Sequence, residues 1–220
     1  MTLRAFHAAG DESPFRLRLV LENDPGRDAL ESFLRDRYAR AFGAQITSFM
    51  PWLVEMRDGA NTPVGALGLR SAAAGPLFLE RYLDAPAEQA VAAATGRVVD
   101  RRSLVEIGNF AADSPGALRQ LIVPLIRCLR RAGLEWALFT LLPSTRNAFT
   151  RFGLPLIPLA EARADCLAAE ARATWGDYYD RKPRVLAGSL AEGYRLLDAR
   201  GPKVAPAPFC DVKGVAAAWV

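Results

Sequence analysis

Apolar residues alternate at Phe15, Leu17, Leu19 and Leu21, the period of a strand with one buried face. Asn23-Asp24-Pro25-Gly26 interrupts that period, and Leu30, Phe33, Leu34, Tyr38 and Phe42 then recur at helical spacing. The spacing predicts an amphipathic helix over 27–42, with Gly43 as its C-terminal stop. Two further strands are predicted at 52–56 and 64–70, joined through the turn Asp58-Gly59-Ala60-Asn61 as an antiparallel hairpin. A helix follows over 85–94, with Asp84 as a candidate cap, and then a strand over 103–110. The pattern next predicts a strong helix over 117–132, its apolar face running through Leu121, Leu125, Cys128 and Leu129. Pro124 falls inside that helix and should kink it or move its start. The remaining elements are a strand over 136–142, a helix from Ser144 to Phe152, an extended stretch over 154–159, a helix over 161–174, a strand over 185–187 and a helix over 189–197.

This order puts a hairpin first and βαβ units after it. It predicts an α/β fold with a mixed twisted sheet, helices on both faces and a parallel pair formed by 103–110 and 136–142. We divide the 220 residues into a domain over 1–160, a helical C-terminal extension over 161–200 packed on it, and a loosely held tail over 201–220 carrying Pro202, Pro206 and Pro208. Hydrophobic residues make up 51% and charged residues 24%, which excludes a disordered or fibrous chain. Apolar runs are far shorter than the ~20 residues of a spanning helix, and MTLRAFHAAGDESPFR has no apolar core of a secretory signal, so a cytoplasmic protein is expected. His7 is the single histidine, and Cys128, Cys166 and Cys210 are widely spaced. No metal cluster, disulfide framework or Ser-His-Asp triad is expected from such a set. The net charge of +4 is too small to imply nucleic acid, although all but Lys182, Lys203 and Lys213 of the 28 basic residues are arginines.

Candidate chemistry concentrates in Ser103–Leu121, where a strand, a Ser114-Pro115-Gly116 loop and a long helix follow one another. Backbone N–H groups at such a helix start can hold phosphate, or the loop is a plain β-to-α turn. Glu106 sits among apolar strand residues. It is either solvent-facing or buried, and burial in a cleft would raise its pKa and suit it to general-base work. Asn109, three residues on, points to the opposite face of a regular strand; a bulge at Gly108 would bring both to one side. Arg70 ends the preceding strand, and Arg35, Arg37 and Arg40 ride on the first helix as solvated charge or as ligands. The tract Trp175-Gly176-Asp177-Tyr178-Tyr179-Asp180 either walls a pocket or, the reading we favour, pins the C-terminal extension. Cys128 is expected in the core and Ser144 as a cap.

Four stretches carry a resemblance: FLERYLDAPAEQA (78–90), RSLVEIGNFAA (102–112), LEWALFTLLPSTRNAFTRFGLPLIPL (134–159) and WGDYYDRKPRVLAG (175–188). Over about 15–194 the chain resembles the bacterial thermostable hemolysin family. Its element order is similar to the GCN5-related N-acetyltransferase fold, and closer to the acyl-homoserine-lactone synthases. Those synthases carry a Glu-x-Ser-Arg strand motif; Glu106 matches its glutamate, Gly108 and Asn109 replace its serine and arginine, and Arg70 matches an arginine on the preceding strand. The missing motif arginine puts S-adenosylmethionine as the amine in doubt. The resemblance implies acyl transfer from a coenzyme A or carrier-protein thioester to a small amine, in the making of a secreted or signalling metabolite. It implies acyl-CoA or acyl-carrier phosphopantetheine as co-substrate, no metal, and an acyl carrier protein as a candidate partner. The implied catalytic residues are Glu106 and Asn109, with Arg70, Arg37, Phe110 and Trp52 at the substrate. Ala111, Ser114, Gly116, Ala117 and Leu118 are placed at the pantetheine arm. One glycine stands where the superfamily loop has several, which leaves room for a carrier-bound arm. Phe149 stands where the superfamily often has a tyrosine acid, so the thiolate leaves unassisted or another group protonates it. The family name also raises a membrane-active protein, and a non-catalytic binding module is the third alternative.

Overall fold

The alternation at the start of the chain becomes β1 (Arg16–Val20), and the first helical stripe becomes α1 (Arg27–Phe42). α1 buries Leu30, Leu34 and Tyr38, and Gly43 closes it at φ 64° with its N–H on the Ala39 carbonyl. This computed structural model describes residues 15–199; His7, Cys210 and the expected 201–220 tail lie outside the described residues. The hairpin is β2 (Trp52–Arg57) and β3 (Pro63–Ser71), followed by α2 (Ala87–Thr95) and β4 (Leu104–Ala112). The second half contains α3 (Pro115–Arg131), β5 (Trp136–Leu141), α4 (Pro143–Phe152), β6 (Ile157–Glu161), α5 (Ala169–Ala173), β7 (Arg184–Ser189) and α6 (Leu190–Asp198). α3 starts two residues earlier than expected, capped by the Ser114 hydroxyl, and keeps Pro124 inside it.

The seven strands form one sheet in the order β1-β2-β3-β4-β5-β7-β6. β4 and β5 are parallel, and every other neighbouring pair is antiparallel. β7 inserts between β5 and β6, so residues 184–189 complete the sheet rather than only packing on it.

Some expectations need correction: Pro86 and Leu142, not Asp84 and Ser144, stand at the N-cap positions of α2 and α4, with no side-chain cap bond at either. The helix over 161–174 is reduced to a 3-10 turn at Ala164–Cys166 and the five residues of α5. Only Ala162 and Leu167 of that stretch are buried, so it has no apolar stripe at helical spacing to hold a longer helix. Conversely, Phe78–Tyr82 forms a 3-10 turn that periodicity did not reveal.

Side chains alternate across the pleat, so each face of the sheet has its own core. On one face Val105, Ile107, Ala137 and Phe139 pack on α3, α4 and α6 through Leu121, Leu125, Phe149 and Leu190. The other face is divided. Over β2 and β3, Leu53 and Ala66 pack on Leu30 and Leu34 of α1. Over β5 and β7, Leu138 and Ala187 pack on Leu79 and Val91. The candidate site opens at the seam between these two half-cores.

Candidate functional site

β4 pairs with β5 only from Leu104 opposite Trp136 to Ile107 opposite Phe139. Beyond Ile107 the strands part, although β4 continues to Ala112 and β5 to Leu141. The cause lies on the β3 side. Gly68 pairs with Gly108 and Ala66 with Ala111, so two steps along β3 match three along β4. The extra residue is a bulge centred on Asn109, which adopts φ 47°. Asparagine tolerates this left-handed conformation better than most residues. Its Oδ1 accepts the Met50 N–H at 2.9 Å, which ties the 44–51 loop to the bulge. Two facing glycines make room for that loop: a Cβ on Gly68 would stand 2.7 Å from Met50 Cβ and 2.8 Å from Asn109 Oδ1, and one on Gly108 2.7 Å from Met50 Cε. The bulge thus does what the sequence required for Glu106 and Asn109 to reach one cavity.

A cavity of about 110 Å³ fills the gap, with Arg70, Glu106, Asn109, Phe110, Thr140 and Tyr178 in its wall. Glu106 is only 2% exposed. Its Oε2 accepts the Phe78 N–H at 2.7 Å and its Oε1 the Leu79 N–H at 3.0 Å, so the carboxylate holds the start of the 3-10 turn. Burial pushes its pKa up from 4.5 to about 7, against the opposing pull of those amides and of Arg70. The turn is braced from outside. Glu80 accepts the Leu77 and Ala87 N–H groups, and Arg101 bridges Glu80 and Glu88 while donating to the carbonyls of Ala72 and Gly75. Arg101 holds the Glu80 carboxyl down at about 2. Among the described residues, two buried side-chain polar atoms find no hydrogen-bond partner, Arg70 Nε and Thr140 Oγ1. Both residues line this cavity.

Tyrosines close the gap between the parted strands. The Tyr178 hydroxyl donates to the Thr140 carbonyl on β5 at 3.3 Å, and the Phe110 N–H on β4 approaches the Tyr38 hydroxyl. The two rings stack at 6.5 Å. Burial raises the ionisation of both phenols far above the ordinary range. The hydroxyls of Tyr82 and Tyr179 bond to one another at the same cavity. The aromatic tract arrives there because its backbone is sewn to the end of α1: the Gln45 N–H donates to the Thr174 carbonyl and the Asp177 N–H to that of Phe42. Gly176, at φ 53°, sits so close that any Cβ would overlap the Phe42 carbonyl. The tract is therefore both pin and pocket wall.

Of the residues singled out from sequence, the structure gathers Arg70, Glu106, Asn109 and Phe110 at one cavity. Arg37 lies elsewhere: it pairs with Asp113 at 2.6 Å and lies over the Phe33 ring. Trp52 packs against the opposite core. Neither lines the cavity. Ala111 is buried against α1, while Ala117 and Leu118 are buried in the α3 core. At the start of α3 the Ser114 hydroxyl takes the Ala117 N–H and the Ser114 carbonyl the Leu118 N–H. Pro115, the first residue of α3, has no N–H of its own. Phe149 is 1% exposed, packed among Phe110, Phe139 and Phe152, and does not reach the cavity. Sequence reasoning missed Tyr38, Thr140 and the Phe78 and Leu79 amides. Tyr38 carried only a core-stripe signal, and the amides carried none.

A second, outer cavity of about 520 Å³ shares Ser48, Arg70, Phe78 and Trp175 with the first. Arg81 and Glu170 line it from the 3-10 turn and α5. No group of three or more potential metal ligands occurs among the described residues, and no helix among them is long and apolar enough to cross a membrane.

Solved structures share this architecture. LasI, an acyl-homoserine-lactone synthase, superposes with a TM-score of 0.54 at 10% identity, over 80% of this chain and 90% of its own. BjaI, a CoA-dependent acyl-homoserine lactone synthase solved with SAM and isopentyl-CoA, gives 0.55 at 14% identity, over 90% and 99%. FeeM, an N-acyl amino acid synthase from uncultured soil microbes, gives 0.56 at 16% identity, over 85% and 98%. The fold is thus of the acyl-homoserine-lactone synthase type. No curated protein matches the chain in sequence. The thermostable hemolysin family matches residues 20–194, from the end of β1 into α6, and spans every residue of the cavity wall; the chain belongs to that family.

Proposed function

We propose that this protein is an acyltransferase that moves an acyl group from a coenzyme A or carrier-protein thioester to the amine of a small acceptor. The observation that carries this is Glu106: a buried carboxyl on the wall of the β4–β5 gap, oriented by two amides, with its pKa raised to about 7. A base of that pKa is half ionised near neutrality, where it both accepts a proton readily and is present in the reactive form.

In this reading the thioester lies in the gap beside the free edge of β4. The acceptor nitrogen attacks the thioester carbonyl and its proton passes to Glu106. The new N–C bond forms, the C–S bond breaks, and the electron pair leaves on sulfur. The thiolate then takes a proton from Glu106 or solvent. A thiol is far more acidic than an alcohol or an amine, about 8.5 for free cysteine, so a thiolate leaves without an acid, consistent with Phe149 at the acid position. Arg70 holds an anionic group on the acceptor, which suits its unpartnered Nε. Asn109 works by position, since its Oδ1 anchors Met50 and the bulge keeps the strands apart. In this reading the pantetheine arm passes along the β4–α3 loop at Ser114 and Gly116. Arg37 acts away from the cavity, through its pair with Asp113, which ties α1 to the β4–α3 loop. We place the reaction in the cytoplasm, where such thioesters are made, and its product among secreted or signalling metabolites.

The test is free-thiol release from a panel of acyl-CoA and acyl-carrier thioesters with a pooled amine mixture, for wild type beside Glu106→Gln. Amine-dependent release that the substitution abolishes is the expected result. No release from any thioester by folded protein overturns the proposal. Liposome leakage without thioester would then support the lytic alternative, and thioester binding without turnover the binding module.

A further inference from the structure

The outer cavity has a composition that the acyl-transfer reading does not use. Arg70 forms part of its wall and of the inner cavity's wall, and its Nε is buried without a partner. A desolvated, unpaired guanidinium N–H is costly, and an anionic ligand is the acceptor that relieves that cost best. Arg81 stands at the same chamber, held by its Nε on the Phe78 carbonyl at 2.9 Å and its guanidinium 3.8 Å from the centre of the Phe78 ring. Its position is thus set before a ligand arrives, which lowers the ordering cost of binding. Arg101, by contrast, is engaged by two carboxylates and two carbonyls. Glu170 is the single carboxylate among the residues lining the outer chamber, against two arginines.

The spacing narrows the ligand. Arg70 and Glu106 are directly paired across β3 and β4, both line the inner cavity, and the Arg70 charge acts on the Glu106 carboxyl, so the two head groups are neighbours. A ligand with its anion on Arg70 and its nucleophilic nitrogen at Glu106 has the two groups on one carbon or nearly so. Five apolar residues, Ile46, Phe78, Leu167, Ala171 and Trp175, make up most of the remaining wall, with Thr47, Ser48 and Thr174 between them. We propose that the acceptor spans the two cavities at their shared Arg70, with its amine toward Glu106 in the inner one and its side chain in the outer chamber, that Arg81 joins Arg70 in holding its carboxylate, and that it is an α-amino acid with an apolar or aromatic side chain. The chemistry rests on the acyl-transfer reading, but the binding does not.

The test is therefore equilibrium binding to the full chain without thioester, by calorimetry and ligand-observed NMR. The probes are L-phenylalanine, L-leucine, phenylalaninamide and phenethylamine. The two amino acids should bind about tenfold or more tighter than the two carboxylate-free amines. Arg81→Gln should remove that preference and Arg81→Lys restore part of it. Arg81 is exposed, and equal melting temperatures check that the variants fold. Equal binding of L-phenylalanine and phenylalaninamide, or no binding of any probe, overturns the proposal, and so does an unchanged preference in a folded Arg81→Gln. Should turnover be present, Arg81→Gln should raise KM for the amino acid about tenfold with kcat within about twofold. Amino-acid binding without Glu106-dependent thiol release would overturn the acyl-transfer reading and leave this one standing. Release equally fast with amines that lack a carboxylate would do the reverse.

Discussion

Arg70 and Glu106 stand opposite one another on β3 and β4, yet the two Glu106 oxygens go to the Phe78 and Leu79 amides, and the Arg70 Nε is buried without a partner. A closed ion pair would hold the carboxylate in its charged form and lower its pKa. Directing the carboxylate to two amides leaves burial as the stronger influence and keeps the arginine available. The pair is thus arranged as two separate tools, a base near neutrality and an anion receptor.

The first expectation concerns the pH dependence of turnover. With Glu106 titrating at about 7, kcat/KM should rise through about pH 7 and level off above it as the base loses its proton. Glu106→Gln should cut the rate by about 10²–10⁴ and leave a profile without that inflection. A rate that falls as pH rises through 7, or a variant that keeps the inflection, would remove Glu106 from the role of base.

The same carboxyl makes stability depend on pH with a definite sign. Its folded value of about 7 exceeds its ordinary 4.5, so between these values the folded protein binds more protons than the unfolded chain. Stability therefore falls as pH rises from 4.5 through 7, by roughly 3 kcal/mol from this group. Glu80, held at about 2, titrates below that window. Denaturant unfolding of wild type and Glu106→Gln from pH 4.5 to 8 should show the variant gaining on wild type by about that amount. A constant difference across the range would mean that the carboxyl is not buried as described.

Asn109 carries two requirements, a left-handed backbone and an acceptor for the Met50 N–H. Asn109→Gly keeps the first and loses the second, and should cost about 1 kcal/mol. Asn109→Ala loses both and should cost about 2 kcal/mol. If the bulge holds the site open, Asn109→Gly should also lower kcat/KM by about tenfold through the freed 44–51 loop, with a near-normal melting temperature. Thermal melts and steady-state kinetics on the two variants check this, and equal losses in both would show that the Met50 bond matters and the backbone conformation does not.

How much of this was legible beforehand follows from what each feature depends on. α1 was readable to its bounds because Leu30, Leu34 and Tyr38 make a stripe and Gly43 a stop, all local signals. The parallel β4–β5 pair followed from element order. Glu106 could be picked out as a carboxyl among apolar strand residues, but not its direction, since Phe78 and Leu79 lie 28 and 27 residues away. The bulge was legible only as a possibility, because Gly108 marks where the pleat can break but Asn109 takes the strained conformation. Tyr38 read as one more core position of α1, and only three-dimensional placement sets its hydroxyl beside Phe110. Arg37 and Trp52 misled because a cationic helix position and a strand aromatic have the same local look whether they face a cavity, a partner carboxylate or a core.

Phe149 offers the last test, because it separates an enzyme with an unassisted leaving group from one that has merely lost its acid. A tyrosine there would place its hydroxyl among Phe110, Phe139 and Phe152, in a core where Phe149 is 1% exposed. Burying that hydroxyl without a partner costs about 1–3 kcal/mol. Phe149 does not line the cavity, so the new hydroxyl should not reach a departing sulfur, and Phe149→Tyr should lower the melting temperature while leaving kcat no higher than wild type. A rise of tenfold or more in kcat would mean that the sulfur leaves beside α4, that protonation limits the rate, and that the thiolate does need an acid in this site.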